Sequence, residues 1–229
     1  MVLKYYFDLM SQPSRALYIF LKLTNIPFEA CPVALRKGEH LSEEFKKNFS
    51  KFQKVPFIHH GNFRLTESVC IFRYLTREYP VKDNWYPKDS KQQAKIDEYL
   101  EWQHLNTRAH CTLYFRYKWL QPMLTGEKPD PEKLKFLESN MIDTLDKFQE
   151  LFISETPFIN GQTISFADIL AACEIVQPRI AGYDSRENRP KLKEWIEKVR
   201  NECNPYYHEA HEFVNKMIEK NKQRVQTKL

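Results

Sequence analysis

Ser11 stands immediately before Gln12-Pro13-Ser14-Arg15-Ala16, a segment that reads as the start of a helix. A hydroxyl at that place can donate a hydrogen bond to an anion, and the unpaired amides of a first helical turn point the same way. The plainer role is a simple cap, with the oxygen accepting from a backbone N–H. Both can hold together, because an accepting hydroxyl keeps its proton. Tyr5 and Tyr6 are rival donors, although a tyrosine alternating into a core is the commoner arrangement. Ser68 is a second helix start, and its amide suits a carboxylate. A third group, His104, Arg108, Cys111, Phe115 and Trp119, falls near one face of a helix. Arg108 there could polarise a leaving group or meet an anion; the alternative is a salt bridge inside ordinary packing.

Metal and redox chemistry have little to work with. His59-His60 adjoins a turn, so its rings diverge, and His208 and His211 bring no further ligand; no metal is expected. The five cysteines, Cys31, Cys70, Cys111, Cys173 and Cys203, never form C-x-x-C and are odd in number. That pattern predicts reduced thiols in a reducing compartment. The net charge of +5 is not clustered as in a nucleic-acid binder, and the basic tail (Lys216, Lys220, Lys222, Arg224, Lys228) reads as a solvated helix end. No run approaches the ~20 apolar residues of a membrane span, and the first residues do not read as a signal peptide. The expectation is a cytoplasmic protein with neither nucleic-acid nor membrane partners.

For these groups to meet, the elements around them must converge. With 229 residues, 42% of them hydrophobic, the chain can build one large domain or two modest ones. Residues 3–7 are β-prone. Ala16, Leu17, Ile19, Phe20 and Leu23 recur at helical spacing, with Pro13 tolerated in the first turn and Asn25-Ile26-Pro27 as the stop. Residues 28–35 fit an edge strand, given Pro32. Residues 42–49 fit a short helix. Residues 54–59 and 63–65 flank Gly61-Asn62 as a hairpin, and Thr66-Glu67-Ser68 opens a helix carrying Val69, Ile71, Phe72 and Leu75. The order β-α-β-α-β-β-α predicts a thioredoxin-like layer over residues 1–79. Residues 80–88 read as a linker. Every periodic segment of 89–229 is helical, so the fold class is α/β followed by an all-α bundle. Its centre is the apolar run from Ile169 to Val176 behind Ser165-x-x-Asp168, which resembles a capping box. From Glu219 onward the tail is expected to fray.

A thioredoxin-like half followed by an all-helical half resembles the cytosolic glutathione transferases, and four motifs carry the likeness. Leu9-Met10-Ser11-Gln12-Pro13-Ser14-Arg15-Ala16 is similar to the first strand-to-helix turn of the theta class, in its insect-like theta/delta group. Lys54-Val55-Pro56 is similar to the family's cis-proline loop, Leu65-Thr66-Glu67-Ser68 to its glutamyl-binding turn, and Ser165-Phe166-Ala167-Asp168 to its second-domain capping motif. The likeness runs from about residue 3 to about residue 215, and the four motifs in order are specific where each alone is not.

The resemblance implies an enzyme that joins glutathione, as co-substrate and with no permanently bound cofactor, to electrophilic, largely apolar molecules, in a detoxifying role. It also implies possible reduction of organic hydroperoxides. Ser11 would hold the thiolate, Glu67 the γ-glutamyl amine and Ser68 its carboxylate. Val55, exposed by a cis Pro56, would pair with the central cysteine of glutathione; Lys54 and His40 would meet the glycine carboxylate. His104, Arg108, Cys111, Phe115 and Trp119 would wall the electrophile pocket. A homodimer is implied, with the helix at 68–79 meeting the partner's helical domain. The chain departs from relatives at Phe49-Ser50, where many have Asn-Pro, and at Leu41, where a relative carries lysine. Ending at Leu229, it lacks the longer C-terminal lid of mammalian theta enzymes, so a more open pocket is expected. Two rivals remain: a non-catalytic binding or assembly module on the same fold, and a thiol-disulfide oxidoreductase, which would want a cysteine nearer position 11 than Cys31.

Overall fold

The computed structural model describes residues 2–159 and 161–226. Four strands, β1 (Leu3–Phe7), β2 (Glu29–Pro32), β3 (Phe57–His60) and β4 (Phe63–Thr66), form one sheet in the order β2-β1-β3-β4. The β1–β2 pair is parallel and the other two pairs are antiparallel, with Tyr5 opposite Ala30 on one side and Ile58 on the other. β2, with Pro32, is an edge strand, where a missing N–H costs no ladder bond. Helices α1 (Gln12–Leu23), α2 (Glu43–Asn48) and α3 (Ser68–Glu78) cover the sheet. Strand alternation sends Leu3, Tyr5 and Phe7 into the main core, while Tyr6 stacks on Phe57 at 4.4 Å beside Phe45 of α2.

The stretch read as a linker is docked: Trp85 is buried, and the Asn84 amide donates to the Ile164 carbonyl at 2.8 Å. Helix α4 (Ser90–Trp102) follows, then a turn at Gln103–Leu105 and a break at Asn106 (φ −120°, ψ −100°). The next helical run mixes geometries: a π turn at Thr107–Cys111, α5 (Thr112–Phe115), a second π turn at Arg116–Leu120, and α6 (Gln121–Thr125). A π turn holds an extra residue, so regular spacing fails across it. The expectation of one continuous face from His104 to Trp119 is corrected on this ground.

Helix α7 (Pro131–Phe152) is capped by Asp130, whose carboxylate accepts from Lys133 N–H at 2.8 Å. All of α8 (Phe166–Ile175) is buried. At its start Asp168 accepts from Ser165 N–H, Ser165 Oγ, Ile159 N–H and Trp195 Nε1, which satisfies a fully buried carboxylate. Helices α9 (Pro190–Cys203) and α10 (Tyr206–Gln226) close the bundle. α10 runs on past Glu219, where fraying was expected; Lys228 lies outside the described residues.

One hydrophobic core spans both halves. α1 packs more extensively on α8 than on any other element. Phe166 of α8 stacks on Phe72 of α3 at 4.1 Å and meets Phe20 of α1 edge-on at 5.6 Å. Such pairs add about 0.5–1.5 kcal/mol each beyond the area they bury. No described helix is long and apolar enough to cross a membrane.

Candidate active site

The turn between β1 and α1 is fixed by its own polar groups. Ser11 N–H donates to the Asp8 carbonyl at 2.9 Å, and Met10 N–H donates to the Asp8 carboxylate at 2.8 Å. Ser11 holds the N-cap position with extended backbone (φ −78°, ψ 124°), yet its hydroxyl makes no capping bond. It is partly exposed and free to bond elsewhere. The rival donors are placed otherwise. Tyr5 is fully buried and gives its proton to the Ser14 carbonyl at 2.7 Å, and burial drives its pKa far up. Tyr6 faces the opposite side of the sheet, against Phe57.

Arg15 pins this turn to the helical half. Its guanidinium is completely buried and donates to the carbonyls of Leu9 (2.8 Å), Met10 (3.1 Å) and Cys173 (2.9 Å), and to Gln177 Oε1 (2.6 Å). Burial pulls its pKa down. Four acceptors on a planar, delocalised cation are what make such burial tolerable.

A cleft of about 170 Å³ lies between the two halves. On the sheet side it is lined by Lys54, Val55, Pro56, Thr66, Glu67 and Ser68, together with Pro13 and Phe52. The Val55–Pro56 peptide bond is cis. The Val55 main chain pairs with no other described backbone group, which leaves it available to an added strand. Glu67 has φ +65° and ψ 113°, a left-handed conformation that costs of order 1–3 kcal/mol for a non-glycine residue and is typical of ligand clamps. It places a carboxylate beside the free amides that begin α3. His40 does not line the cleft, but its carbonyl accepts from Gln53 Nε2 at 3.2 Å, which ties its loop to that of Lys54.

On the helical side the lining is Gln103, His104, Arg108 and Glu174. Arg108 Nη1 donates to Gln12 Oε1 at 2.9 Å and to Thr112 Oγ1 at 3.3 Å. Glu174 is buried, with Oε1 3.8 Å from Arg108 Nε and Oε2 accepting from Thr107 Oγ1 at 3.3 Å. Burial pushes its carboxyl up to about 7, against the pull of Arg108.

The remaining three residues of the expected electrophile wall lie elsewhere. Cys111 is sealed in the main core, and burial raises its thiol pKa. Phe115 and Trp119 stack at 5.5 Å in a separate cluster with Met10, Ile180, Val214 and Ile218. Met10 precedes Ser11, so this apolar cluster adjoins the Ser11 turn. α10 supplies its outer layer, and the Arg36 guanidinium lies 4.4 Å over the Phe213 ring. Arg15 and Glu174 did have a signal in the sequence: each is a charge inside an otherwise apolar helical run.

A larger hollow of about 560 Å³ lies between α9 and α10, bordered by Arg179, Arg186 and Arg200. Their charges are met by Asp184 and Glu197 within the fold. Among the described residues no three His, Cys, Asp or Glu side chains gather as a metal site. His59 and His60 bond separately, to the Phe49 carbonyl and the Tyr74 hydroxyl.

The profile described as "Glutathione S-transferase, N-terminal domain" matches residues 1–77, and that of the "Glutathione S-transferase, C-terminal domain" matches residues 104–202. Glutathione S-transferase theta-1 of Bos taurus and that of Homo sapiens are each 42% identical over 217 residues, covering 94% of this chain and 90% of theirs. The human T1-1 enzyme without ligand superposes with a TM-score of 0.90 at 41% identity, covering 95% of this chain and 91% of that one. Human theta-2, solved with glutathione and an unknown ligand, gives 0.89 at 34% identity over 99% and 92%. A delta-class structure from Nilaparvata lugens, at 23% identity, shares the fold. The chain belongs to the glutathione S-transferase family, as a transferase enzyme of the theta class.

Proposed function

We propose that Ser11 donates its hydroxyl hydrogen bond to the sulfur of bound glutathione and holds it as thiolate for attack on an electrophile. The observation that carries this reading is the free Ser11 hydroxyl at the start of α1, beside a Tyr5 whose proton is already engaged. A free thiol titrates near 8.5, and each pKa unit of lowering needs about 1.4 kcal/mol of preference for the anion. One charge-assisted hydrogen bond supplies about 1.5–3 kcal/mol, and the helix terminus adds ~0.3–1 kcal/mol. Together they bring the thiol to neutral pH.

Glutathione lies along the sheet-side wall, its cysteine paired with the Val55 main chain. Glu67 takes the γ-glutamyl amine, the Ser68 amide takes the adjoining carboxylate, and Lys54 with His40 faces the glycine carboxylate. The thiol proton leaves to solvent. The sulfur then forms a bond to an electrophilic carbon while the leaving group departs with its electron pair, near Arg108. Residues 1–79 supply the glutathione half and 89–229 the electrophile half. With an organic hydroperoxide, the thiolate attacks the terminal oxygen, giving an alcohol and a glutathione sulfenic acid. A second glutathione converts that to disulfide and water. The acting protein is a homodimer through α3, in a reducing cytoplasm that suits its free thiols.

The test is the ultraviolet thiolate absorbance of bound glutathione across pH, for wild type and Ser11→Ala, with turnover of an alkyl halide, an epoxide and a chloronitroarene. A lowered thiol pKa in wild type that Ser11→Ala returns toward the free value, with glutathione still bound, supports the reading. Binding with neither a lowered pKa nor turnover sinks it, in favour of a binding module on this fold.

A further inference from the structure

Glu174 borders the cleft, is 1% exposed and has no part in the reaction above. Its place is costly: one carboxylate oxygen, Oε1, has no hydrogen-bond partner and lies at ion-pair distance, 3.8 Å, from Arg108 Nε. The same guanidinium donates from Nη1 to Gln12 Oε1 at 2.9 Å. Gln12 is the neighbour of Ser11, and its Nε2 donates in turn to Thr112 Oγ1 at 3.1 Å. A single cation therefore connects a buried acid on α8 to the first turn of α1. An ordinary packing position does not need a half-satisfied carboxylate at the wall of a cleft.

We propose that Glu174 is a positioning residue for glutathione transfer, its carboxylate anchoring Arg108 over Gln12 so that the guanidinium stays where the leaving group departs, and that transfer requires Glu174 in its ionised form. The proposal rests on the reading of this cleft as the transfer site.

The groups facing Glu174 set its balance. Arg108 from the π turn and Arg15 from α1 favour the carboxylate, and Thr107 donates to it. Tyr99 of α4, Cys111 of the π turn and Cys173 of α8 face it as neutral groups, each with its own ionisation pushed up. At the mouth, Lys54, His104 and Glu67 are farther round the lining. Burial outweighs the two arginines, and the carboxyl stands at about 7. Below that pH Glu174 takes up a proton and Arg108 loses its anchor. Glutathione itself binds on the opposite wall, so its affinity stays outside this control.

The experiment uses the full-length enzyme, glutathione and one small epoxide, with log(kcat/KM) for the epoxide followed from about pH 5 to about pH 9 at saturating glutathione. Wild type should show an acid limb steeper than one proton, from the thiol and Glu174 together. Glu174→Gln, close in shape and uncharged, should show a one-proton limb and a plateau about tenfold lower, with KM for glutathione within about twofold. Glu174→Asp should restore the second ionisation. A wild-type limb of one proton, or a Glu174→Gln profile that overlies wild type, overturns the proposal. The two readings separate cleanly. If Ser11→Ala leaves the bound-thiol titration unchanged while Glu174→Gln still removes one proton from the limb, the serine reading fails and the role of Glu174 stands. If Ser11→Ala shifts the thiol and Glu174→Gln changes nothing, the reverse holds.

Discussion

The two walls of the cleft are built by different means. The sheet wall is set by backbone: a cis bond before Pro56, a left-handed Glu67 and the open end of α3. Its polar groups point outward, and Lys54 and Glu67 are exposed. The helical wall is set by side chains bonded to one another: Glu174 to Arg108 and Thr107, Arg108 to Gln12. The first wall suits a ligand that brings its own charges and strand-like backbone. The second is a preassembled, partly desolvated field in which a charge can be tuned, and the shifted ionisation of Glu174 lies on that side. The two walls thus differ in construction, with Arg15 and Gln12 of α1 crossing from one half to the other.

That division can be broken at its bridge. Arg15→Met takes the guanidinium from the Leu9 and Cys173 carbonyls and Gln177 Oε1, leaving the Met10 carbonyl only its weaker bond from Gln177 Nε2, and is expected to cost about 3–5 kcal/mol in urea unfolding; a loss below about 1 kcal/mol would mean the halves are not joined there. Next in size is Ser11→Ala, expected to lower kcat about 100-fold with little change in KM for glutathione, as for loss of one donor to a developing anion. A rise in KM alone would move Ser11 from chemistry to binding.

The remaining substitutions sharpen the contrast. The folded Glu174 carboxyl is raised above its unfolded value of 4.5 to about 7, so the stability associated with its protonated form is present below the unfolded pKa and lost as pH rises through the folded one. Glu174→Gln is therefore expected to stabilise the fold by ~3 kcal/mol near pH ~8 and by nothing near pH ~4. Thermal unfolding at the two pH values checks it, and equal shifts at both would place the effect outside titration. Glu67→Gln, on the other wall, is expected to raise KM for glutathione about tenfold while kcat holds. Smallest is Arg36→Ala, which removes the contact over Phe213 and should cost under ~1 kcal/mol in unfolding while easing turnover of bulkier electrophiles about twofold.

The sheet wall was the legible one. Lys54-Val55-Pro56, a serine before a helix and Glu67-Ser68 at a second helix start are short local motifs, and their order along the chain, through the resemblance to a family, singled them out. The helical wall was not. The spacing of His104, Arg108, Cys111, Phe115 and Trp119 promised one face, but two π turns interrupt it, and only His104 and Arg108 line the cleft. Arg15 finds Cys173 at a separation of 158 residues and Arg108 finds Gln12 at 96, distances that periodicity cannot bridge. Glu174 was passed over inside the apolar run from Ile169 to Val176, and its partner on the π turn could be identified only once α8 and that turn were side by side.

The fully buried Arg15 also bears on how such a chain can be cut or recombined. Its hydrogen-bond acceptors come equally from the sheet half and from α8 and the turn behind it. Residues 1–79 expressed alone would turn the α1 face that packs on α8 to solvent, with water in place of two of the four acceptors of Arg15, so the sheet half is expected to be less stable alone than in the whole chain. A chimera that joins this sheet half to the helical half of a relative is expected to be most stable where the foreign helix offers a carbonyl and an amide oxygen at the same two places.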